Sequence, residues 1–130
     1  MKSVPDVWKA VLKKPVFVHL TTLMPDGSPQ VSPVWVDVDG DAIMINSAQG
    51  RIKDKNMRRD PRVALSVTDP DNPYKALMVR GRVTTITGDG ADAHIDKMAK
   101  KYLGKDKYPF RKAGEVRILY RIEPSAVNET

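Results

Sequence analysis

The sequence predicts a mostly β protein of the α+β class, a small antiparallel barrel with helices at its periphery. Six segments have the β-branched and apolar composition of strands. Most of them are joined by connections too short for crossover helices, which excludes a doubly wound parallel sheet. A chain of 130 residues can build one hydrophobic core of adequate size. We therefore expect one domain that covers residues 1–130.

The first half of the chain predicts a helix and three strands in meander order. Apolar residues recur at helical spacing near the start, and Pro5 is early enough for a helix to tolerate it. An Asp-Gly turn signal at Asp26 separates the first two strands. Pro33 lies inside the second strand and indicates a sheet edge or a bulge. The predicted elements are the helix 4–12 and the strands 16–23, 30–38 and 42–47.

The second half predicts two helices and three further strands. A short basic helix ends at Pro61. Gly81 indicates a bulge in a long strand, and Asp89 is the expected cap of the last helix. Residues 104–115 form an irregular loop, after which apolar residues alternate from Val116 onwards, as in a half-buried strand. The predicted elements are the strands 62–67, 74–86 and one from 116, and the helix 88–104.

The composition excludes several classes of site. The chain has no cysteine, so it has neither disulfides nor a thiolate metal site, and this fits a cytoplasmic protein. Neither His19 nor His94 has a metal-ligand partner at a useful spacing, so we expect no metal and no catalytic triad. No apolar run approaches the roughly 20 residues of a membrane span, and the start of the chain does not read as a secretory signal. If the protein is an enzyme, its reactive atoms belong to a cofactor.

The segment "GRIKDKNMRRDPR" at residues 50–62 is the strongest functional signal. Its six cations and two acids supply +4 of the net charge of +6, so the basic excess is focal. The segment could be a solvated helix face, a nucleic-acid contact or a phosphate site. No aromatic residue lies inside it to stack on bases, and aromatics are 6% of the chain, which disfavours nucleic acid.

A phosphate site explains the position of the cations best. The hydroxyl of Ser47, the amide of Gly50 and the first amides of the helix can all face one anion. Arg51 and Lys53 lie within one turn of the helix start and can add charge-assisted hydrogen bonds. Cations at a helix N-terminus oppose the macrodipole unless an anion binds there. The segment therefore predicts a site for a phosphorylated ligand.

Two stretches resemble one known family. The phrase "DGSPQVSPVWV" at 26–36, followed by "INSAQGRIKDKNMRRDPRVALSV" at 45–67, is similar to the split-barrel flavoproteins related to pyridoxamine 5′-phosphate oxidase. Within that family the sequence looks most like the small F420-dependent, or deazaflavin-dependent, oxidoreductases. The resemblance covers about residues 8–123 and is weakest in the helix at 89–103.

The resemblance implies a six-stranded antiparallel split β-barrel with peripheral helices. It also implies a homodimer with two cofactor sites across the subunit interface. The residues that would hold the phosphate and ribityl-like chain are Ser47, Arg51, Lys53 and Asn56. Those that would run along the ring system are Gln30, Ser32, Pro33 and Val34. Tyr74 matches a position that carries an aromatic from the other subunit. For Asn56, Ser32 and Tyr74, helix capping, a strand hydroxyl and edge packing remain alternatives.

The resemblance leaves the cofactor and the function open between related candidates. F420 has an anionic tail beyond its phosphate, and the surplus cations Arg58, Arg59, Arg62 and Lys75 favour it over FMN. We expect an F420-dependent oxidoreductase that transfers a hydride from reduced deazaflavin to a small conjugated or otherwise electrophilic substrate. An FMN-dependent enzyme and a non-catalytic flavin-binding protein are the alternatives. No catalytic residue stands out. The chain lacks the C-terminal Arg-x-His segment with which true pyridoxamine phosphate oxidases bind substrate.

Overall fold

A computed structural model describes residues 3–130 as one seven-stranded antiparallel sheet with three helices. The helices are α1 (Asp6–Leu12), α2 (Ile52–Arg59) and α3 (Ala91–Leu103). The strands are β1 (Val18–Leu23), β2 (Pro29–Val34), β3 (Asp37–Asp39), β4 (Ala42–Ala48), β5 (Arg62–Asp69), β6 (Asn72–Thr87) and β7 (Arg117–Glu129). They follow the order β2-β1-β5-β6-β7-β4-β3, and all neighbours are antiparallel. The predicted mostly β class is confirmed.

The number of strands differs from the prediction because residues 30–38 form two strands instead of one. The backbone of Val36 bonds to α3 and not to a neighbouring strand. Its amide donates to the hydroxyl of Tyr102 over 2.9 Å, and its carbonyl accepts from Lys101 over 2.6 Å. β2 therefore pairs with β1, and β3 pairs with β4, at opposite edges of the sheet. Pro33 lies on the edge strand β2, as its missing amide predicts.

One hydrophobic core joins the sheet to the first two helices. Alternate residues of β1, β5, β6 and β7 and of the middle of β4 point into it, as the period of a half-buried strand requires. α1 adds Trp8 and Leu12, and α2 adds Met57. The largest fully buried strand side chains are Leu20, Ile43, Ile45, Leu77, Tyr120 and Ile122.

Two predicted details near β6 had different outcomes. The pairing of β6 with β7 shifts register between Arg80 and Gly81, which confirms the predicted bulge. A Cβ at Gly81 would lie 2.7 Å from the carbonyl oxygen of Glu123, so the two backbones approach closely there. The predicted cap of α3 by Asp89 is wrong. The N-cap is Gly90, whose φ of 74° favours glycine, and the amide of Asp89 bonds to Thr87 instead.

Candidate anion and cofactor site

The first turn of α2 is fixed by one buried carboxylate. Asp54 accepts hydrogen bonds from the Gly50 amide at 2.9 Å, from Nε of Arg58 at 3.0 Å and from the hydroxyl of Tyr120. Gly50 has a φ of 91°, which lets the chain turn sharply from β4 into the helix. The start of α2 is therefore tied to both the preceding turn and β7.

Asp54 is charged in spite of its burial. Burial raises the pKa of the carboxyl group, but the hydrogen bonds from Tyr120, Gly50 and Arg58 outweigh burial and lower it overall. The pKa of Tyr120 is raised, first by its own burial and then by the hydrogen bond to this carboxylate. The pair therefore consists of an ionised Asp54 and a neutral tyrosine that donates to it.

A cavity of about 180 Å³ opens beside this helix start. Its walls come from β2, β4, the start of α2, α3, β7 and the loop between α3 and β7. The lining residues are Phe17, Pro33, Val34, Trp35, Asn46, Ser47, Arg51, Lys53, Ile95, Tyr108, Phe110 and Arg117. The structure thus brings together five of the predicted site residues, which are Pro33, Val34, Ser47, Arg51 and Lys53.

Ser47 lines this cavity and has a hydroxyl that makes no hydrogen bond among the described residues. The residue is 2% exposed, and its Oγ has no hydrogen-bond partner within residues 3–130. A buried polar atom without a partner costs about 1–3 kcal/mol, so native proteins rarely keep one unless something binds there. The amide of Gly50, which the sequence assigned to the anion, donates to Asp54 instead, whereas the first amides of α2 lack acceptors inside the helix. The Ser47 hydroxyl and these helix amides together form a set of donors that fits an oxyanion.

Three cations line the same cavity as Ser47, and one acid offsets part of their charge. Arg51 is the N-cap of α2, Lys53 lies in its first turn, and Arg117 begins β7. Glu115 lies 2.7 Å from Nη1 of Arg117 and 3.7 Å from Nη2 of Arg51. Lys53 has no ion-pair partner among the described residues. The local formal charge of these four groups is therefore +2 (three cations minus one acid).

Burial makes the charge on Lys53 costly. Burial lowers the pKa of its ammonium group, and the nearby charges of Arg51 and Arg117 lower it further. A bound anion would oppose the repulsion that Arg51 and Arg117 exert on the Lys53 ammonium group and would raise its pKa. The residues present therefore fit a phosphate group, which would accept from Ser47 and the helix amides and neutralise the cations.

Part of the lining of the cavity is aromatic. Trp35 stacks on Tyr102 with ring centroids 4.7 Å apart and an interplanar angle of 7°. Tyr108 meets the edge of Trp35 at 6.0 Å, and Phe110 meets Tyr108 at 5.7 Å. Such pairs hold flat, apolar surfaces in fixed orientations. This wall suits a planar ring next to the phosphate donors.

The loop that carries Tyr108 and Phe110 is anchored to α3. The amide of Tyr108 donates to Asp96 over 2.8 Å, and Arg111 contacts Asp92 at 2.6 Å and Asp96 at 3.2 Å. The backbone bond and the neighbouring cations Lys107 and Arg111 lower the pKa of Asp96. The irregular loop that the sequence predicts at 104–115 is therefore anchored, and it contributes Tyr108 and Phe110 to the lining of the cavity.

Four predicted site residues lie outside the cavity within one chain. Asn56 is buried, and its amide donates to Thr22 at 3.0 Å and to the sulfur of Met24. Gln30 accepts from Thr22 over 3.5 Å, and the buried hydroxyl of Ser32 has no partner in the described part of the chain. Tyr74 is 90% exposed near the start of β6.

The surplus cations of the basic segment have partners inside the chain. Arg58 bonds to Asp54 at 3.0 Å, and Arg59 donates to the carbonyl of Leu23 at 3.1 Å. Arg62 pairs with Asp60, whose pKa falls to about 2 mainly because of this hydrogen bond. The charge argument for an anionic tail therefore loses most of its weight, because these side chains stabilise α2 and its exit.

Sequence reasoning missed Arg117, Glu115 and the two loop aromatics. Arg117 alternates with the buried Ile118, so the strand pattern placed it on the solvent side. Its side chain is 2% exposed because the loop residues Glu115 and Tyr108 cover it. The sequence carries no local signal for this contact, since it depends on how an irregular loop folds back.

The fold and the site together define a split-barrel flavoprotein related to the F420 proteins. The chain belongs to the pyridoxamine 5′-phosphate oxidase family, whose model matches residues 4–130. An F420 reductase of known structure is 35% identical, with a TM-score of 0.83, 96% of this chain covered and 98% of the other. The predicted family is therefore confirmed.

More distant structures share the fold. A conserved hypothetical protein from Mycobacterium tuberculosis is 18% identical, with a TM-score of 0.74 and coverage of 99% of this chain and 85% of that one. An FAD-binding protein from Mesorhizobium loti is 20% identical, with a TM-score of 0.68 and coverage of 98% and 95%. No curated protein matches the sequence.

Two further features are absent from the described residues. Over residues 3–130, no group of three or more potential ligands is arranged to hold a metal ion. In the same range, no helix has the length and apolar character that crossing a bilayer requires.

Proposed function

We propose that the protein is an F420-dependent oxidoreductase that reduces a small conjugated or otherwise electrophilic organic substrate. The observation that carries the proposal is the unpartnered, buried hydroxyl of Ser47, a residue that lines the same cavity as Arg51, Lys53 and Arg117. The 35% identical F420 reductase supports the choice of cofactor. When bound, reduced F420 supplies a hydride.

The residues of the cavity bind, orient and exclude water. Ser47, Arg51 and Lys53 hold the phosphate, while Pro33 and Val34 on the edge strand lie along the ring system. Gln30 and Ser32 act from the neighbouring inward positions of β2, and Asn56 holds α2 in place through Thr22. The aromatic wall keeps a planar ring and its substrate in one orientation, which lowers the entropic part of the barrier.

A second copy of the chain completes the site in this proposal. The cavity of about 180 Å³ is smaller than typical ligand pockets of roughly 300–1,000 Å³. Val31 and Met78 are exposed apolar side chains on the outer face of the sheet, and Tyr74 is exposed beyond them. In a homodimer this face would be covered, and Tyr74 of one subunit would approach the cofactor of the other. Tyr74, Lys75 or solvent would then supply the proton that completes the reduction.

FMN is the second candidate cofactor. The internal pairing of Arg58, Arg59 and Arg62 removes the charge surplus that favoured an anionic tail, and a phosphate alone satisfies the donors at Ser47. An FMN-dependent oxidoreductase or a non-catalytic flavin-binding protein would use the same donors.

Charge reversal at two neighbouring lysines tests the proposal. Lys53→Glu puts an acid into the cavity, whereas Lys55→Glu makes the same change on the exposed side of α2. We expect Lys53→Glu to weaken F420 binding by at least about 100-fold, as two lost charge-assisted contacts would. Lys55→Glu should bind F420 almost as the wild type does. Equal effects of the two variants on F420 affinity would contradict the phosphate assignment.

A further inference from the structure

Arg117 is held by three groups at the rim of the cavity. Its Nε donates to Oδ1 of Asn46 at 3.0 Å, and its Nη1 donates to Glu115 at 2.7 Å. The guanidinium lies 5.0 Å from the centre of the Tyr108 ring. Its Nη2 has no partner within the described range and is left available to a ligand in the cavity that Arg117 lines.

Asn46 uses its whole amide to keep this orientation. Its Oδ1 accepts from Arg117, and its Nδ2 donates to the carbonyl of Ala91 at 2.9 Å and to Nδ1 of His94 at 3.1 Å. A rotated amide would place an NH₂ group against Nε of Arg117, where both groups are donors. The two acceptors, the carbonyl of Ala91 and Nδ1 of His94, therefore fix together which end of Asn46 faces Arg117.

His94 can accept at Nδ1 only while that nitrogen carries no proton. Its other ring nitrogen, Nε2, lies 3.0 Å from Asp37 and donates to it. Asp37 also accepts from the Val38 amide at 2.8 Å and from Lys97 at 3.2 Å. Burial raises the pKa of Asp37, but these bonds outweigh it and lower the pKa overall, so the carboxylate stays charged. The tautomer of His94 is therefore set by Asp37.

We propose that Arg117 is a further anion-binding residue of the cavity and that His94, acting through Asn46, is its positioning residue. The proposal rests on the proposed function, because the anion is the cofactor phosphate. Asp37 on β3, His94 on α3, Asn46 on β4 and Arg117 on β7 form one chain of hydrogen bonds from the sheet edge to the site.

Protonation of His94 breaks this chain. A proton on Nδ1 would face the NH₂ group of Asn46, and turning the amide would only move the conflict to Arg117. The charged groups near the chain are the carboxylate of Asp37 and the cations Lys97, Lys101 and Arg117. Histidine ordinarily changes charge between about pH 5 and pH 8. Cofactor affinity should therefore fall as the pH decreases through this range.

The first arm of the test needs no ligand. NMR should show the Nε–H signal of Arg117 shifting with the same midpoint as the His94 ring, in the full-length wild-type protein. In His94→Gln the Arg117 signal should no longer follow this titration, while in His19→Gln, the matched change at the other histidine, it should. An Arg117 signal that ignores the His94 midpoint in the wild type would overturn the positioning role.

The second arm measures F420 affinity, read from quenching of tryptophan fluorescence, because Trp35 lines the cavity. From about pH 8 to about pH 5 the wild type should lose about tenfold in affinity, the loss of one charge-assisted hydrogen bond. The His94→Gln protein should lose clearly less over the same range. Identical pH profiles of the two proteins would overturn the influence of His94 on anion binding. If Arg117 follows His94 but neither F420 nor inorganic phosphate binds, the proposed function fails and only the positioning role stands.

Discussion

At the scale of single residues, removal of the Ser47 hydroxyl should change protein stability and F420 affinity in opposite directions. Its buried hydroxyl has no partner in the described chain, so Ser47→Ala should raise the free energy of unfolding by about 1 kcal/mol. The same variant should weaken F420 binding by about tenfold, because one donor to the phosphate is lost. Urea denaturation and an F420 titration measure the two effects. Ser66→Ala, on the partly exposed strand β5, is the control. A loss of stability in Ser47→Ala would mean that the hydroxyl is already bonded in the free protein.

Lys53 gives the site a pH dependence on the alkaline side. Burial and the charges of Arg51 and Arg117 lower its pKa below the ordinary lysine value of about 10.4. The ammonium charge is therefore present at neutral pH and is lost earlier than usual as the pH rises. F420 affinity should decrease through that lowered pKa, and the decrease should disappear in Lys53→Met. Titrations at increasing pH check this, and the same alkaline decrease in both proteins would exclude Lys53 as its origin.

At the scale of the elements, α2 depends on Asp54. Asp54→Asn removes a charged acceptor from Gly50, Arg58 and Tyr120, and should cost about 2–3 kcal/mol of unfolding free energy. The folded-state pKa of Asp54 is lowered, so its stabilisation is complete above the ordinary aspartate pKa of about 3.9 and is lost as the pH falls through the folded value. Denaturation curves of both proteins should therefore differ at neutral pH and converge in acid. If the difference in unfolding free energy between the two proteins did not change with pH, the loss of stability would come from altered packing and not from the lost charge.

The stability of the fold should also depend on the absence of a side chain at the bulge in β6. Gly81→Ala places a Cβ 2.7 Å from the carbonyl oxygen of Glu123, so the paired backbones must separate. We expect a loss of about 1–3 kcal/mol. Gly88→Ala is the matched control, because the nearest atom to its new Cβ lies at 3.8 Å. Thermal denaturation of both variants checks the difference, and equal melting temperatures would contradict the close approach at Gly81.

The elements also show what sequence reasoning could reach. Strand composition and turn signals predicted most of the strands, and Gly81 marked its bulge, because these signals are local. The break at Val36 was missed because it depends on Tyr102, 66 positions further along the chain. The cap of α3 was assigned to Asp89 because side-chain capping is common, whereas the backbone needed a positive φ at Gly90.

For the site too, local signals could be read from the sequence, whereas contacts between distant residues could not. The cations near the start of α2 were predictable, because charge and helix polarity act over a few residues. Arg117 and Tyr108 were not, because an irregular loop brings them to the cavity from outside the segment that carries the signal.

At the scale of the whole molecule, full cofactor binding should require the proposed homodimer. Val31 is 60% exposed on the outer face of β2, and Val31→Glu would place a charge in the proposed interface. Light scattering should show twice the mass of one chain for the wild type and a shift towards the monomer for this variant, with weaker F420 binding. Val7→Glu, on the exposed side of α1, should change neither. A monomeric wild type that binds F420 fully would contradict the shared site.

The cofactor assignment is tested most directly by calorimetric titration of the wild-type protein with F420, with FMN in parallel. We predict saturable binding of F420 with one site per chain, at a lower dissociation constant than that of FMN. Tighter binding of FMN would support the anion site but identify FMN, and not F420, as the cofactor. Binding of neither compound would contradict the proposal that Ser47, Arg51 and Lys53 hold a cofactor phosphate.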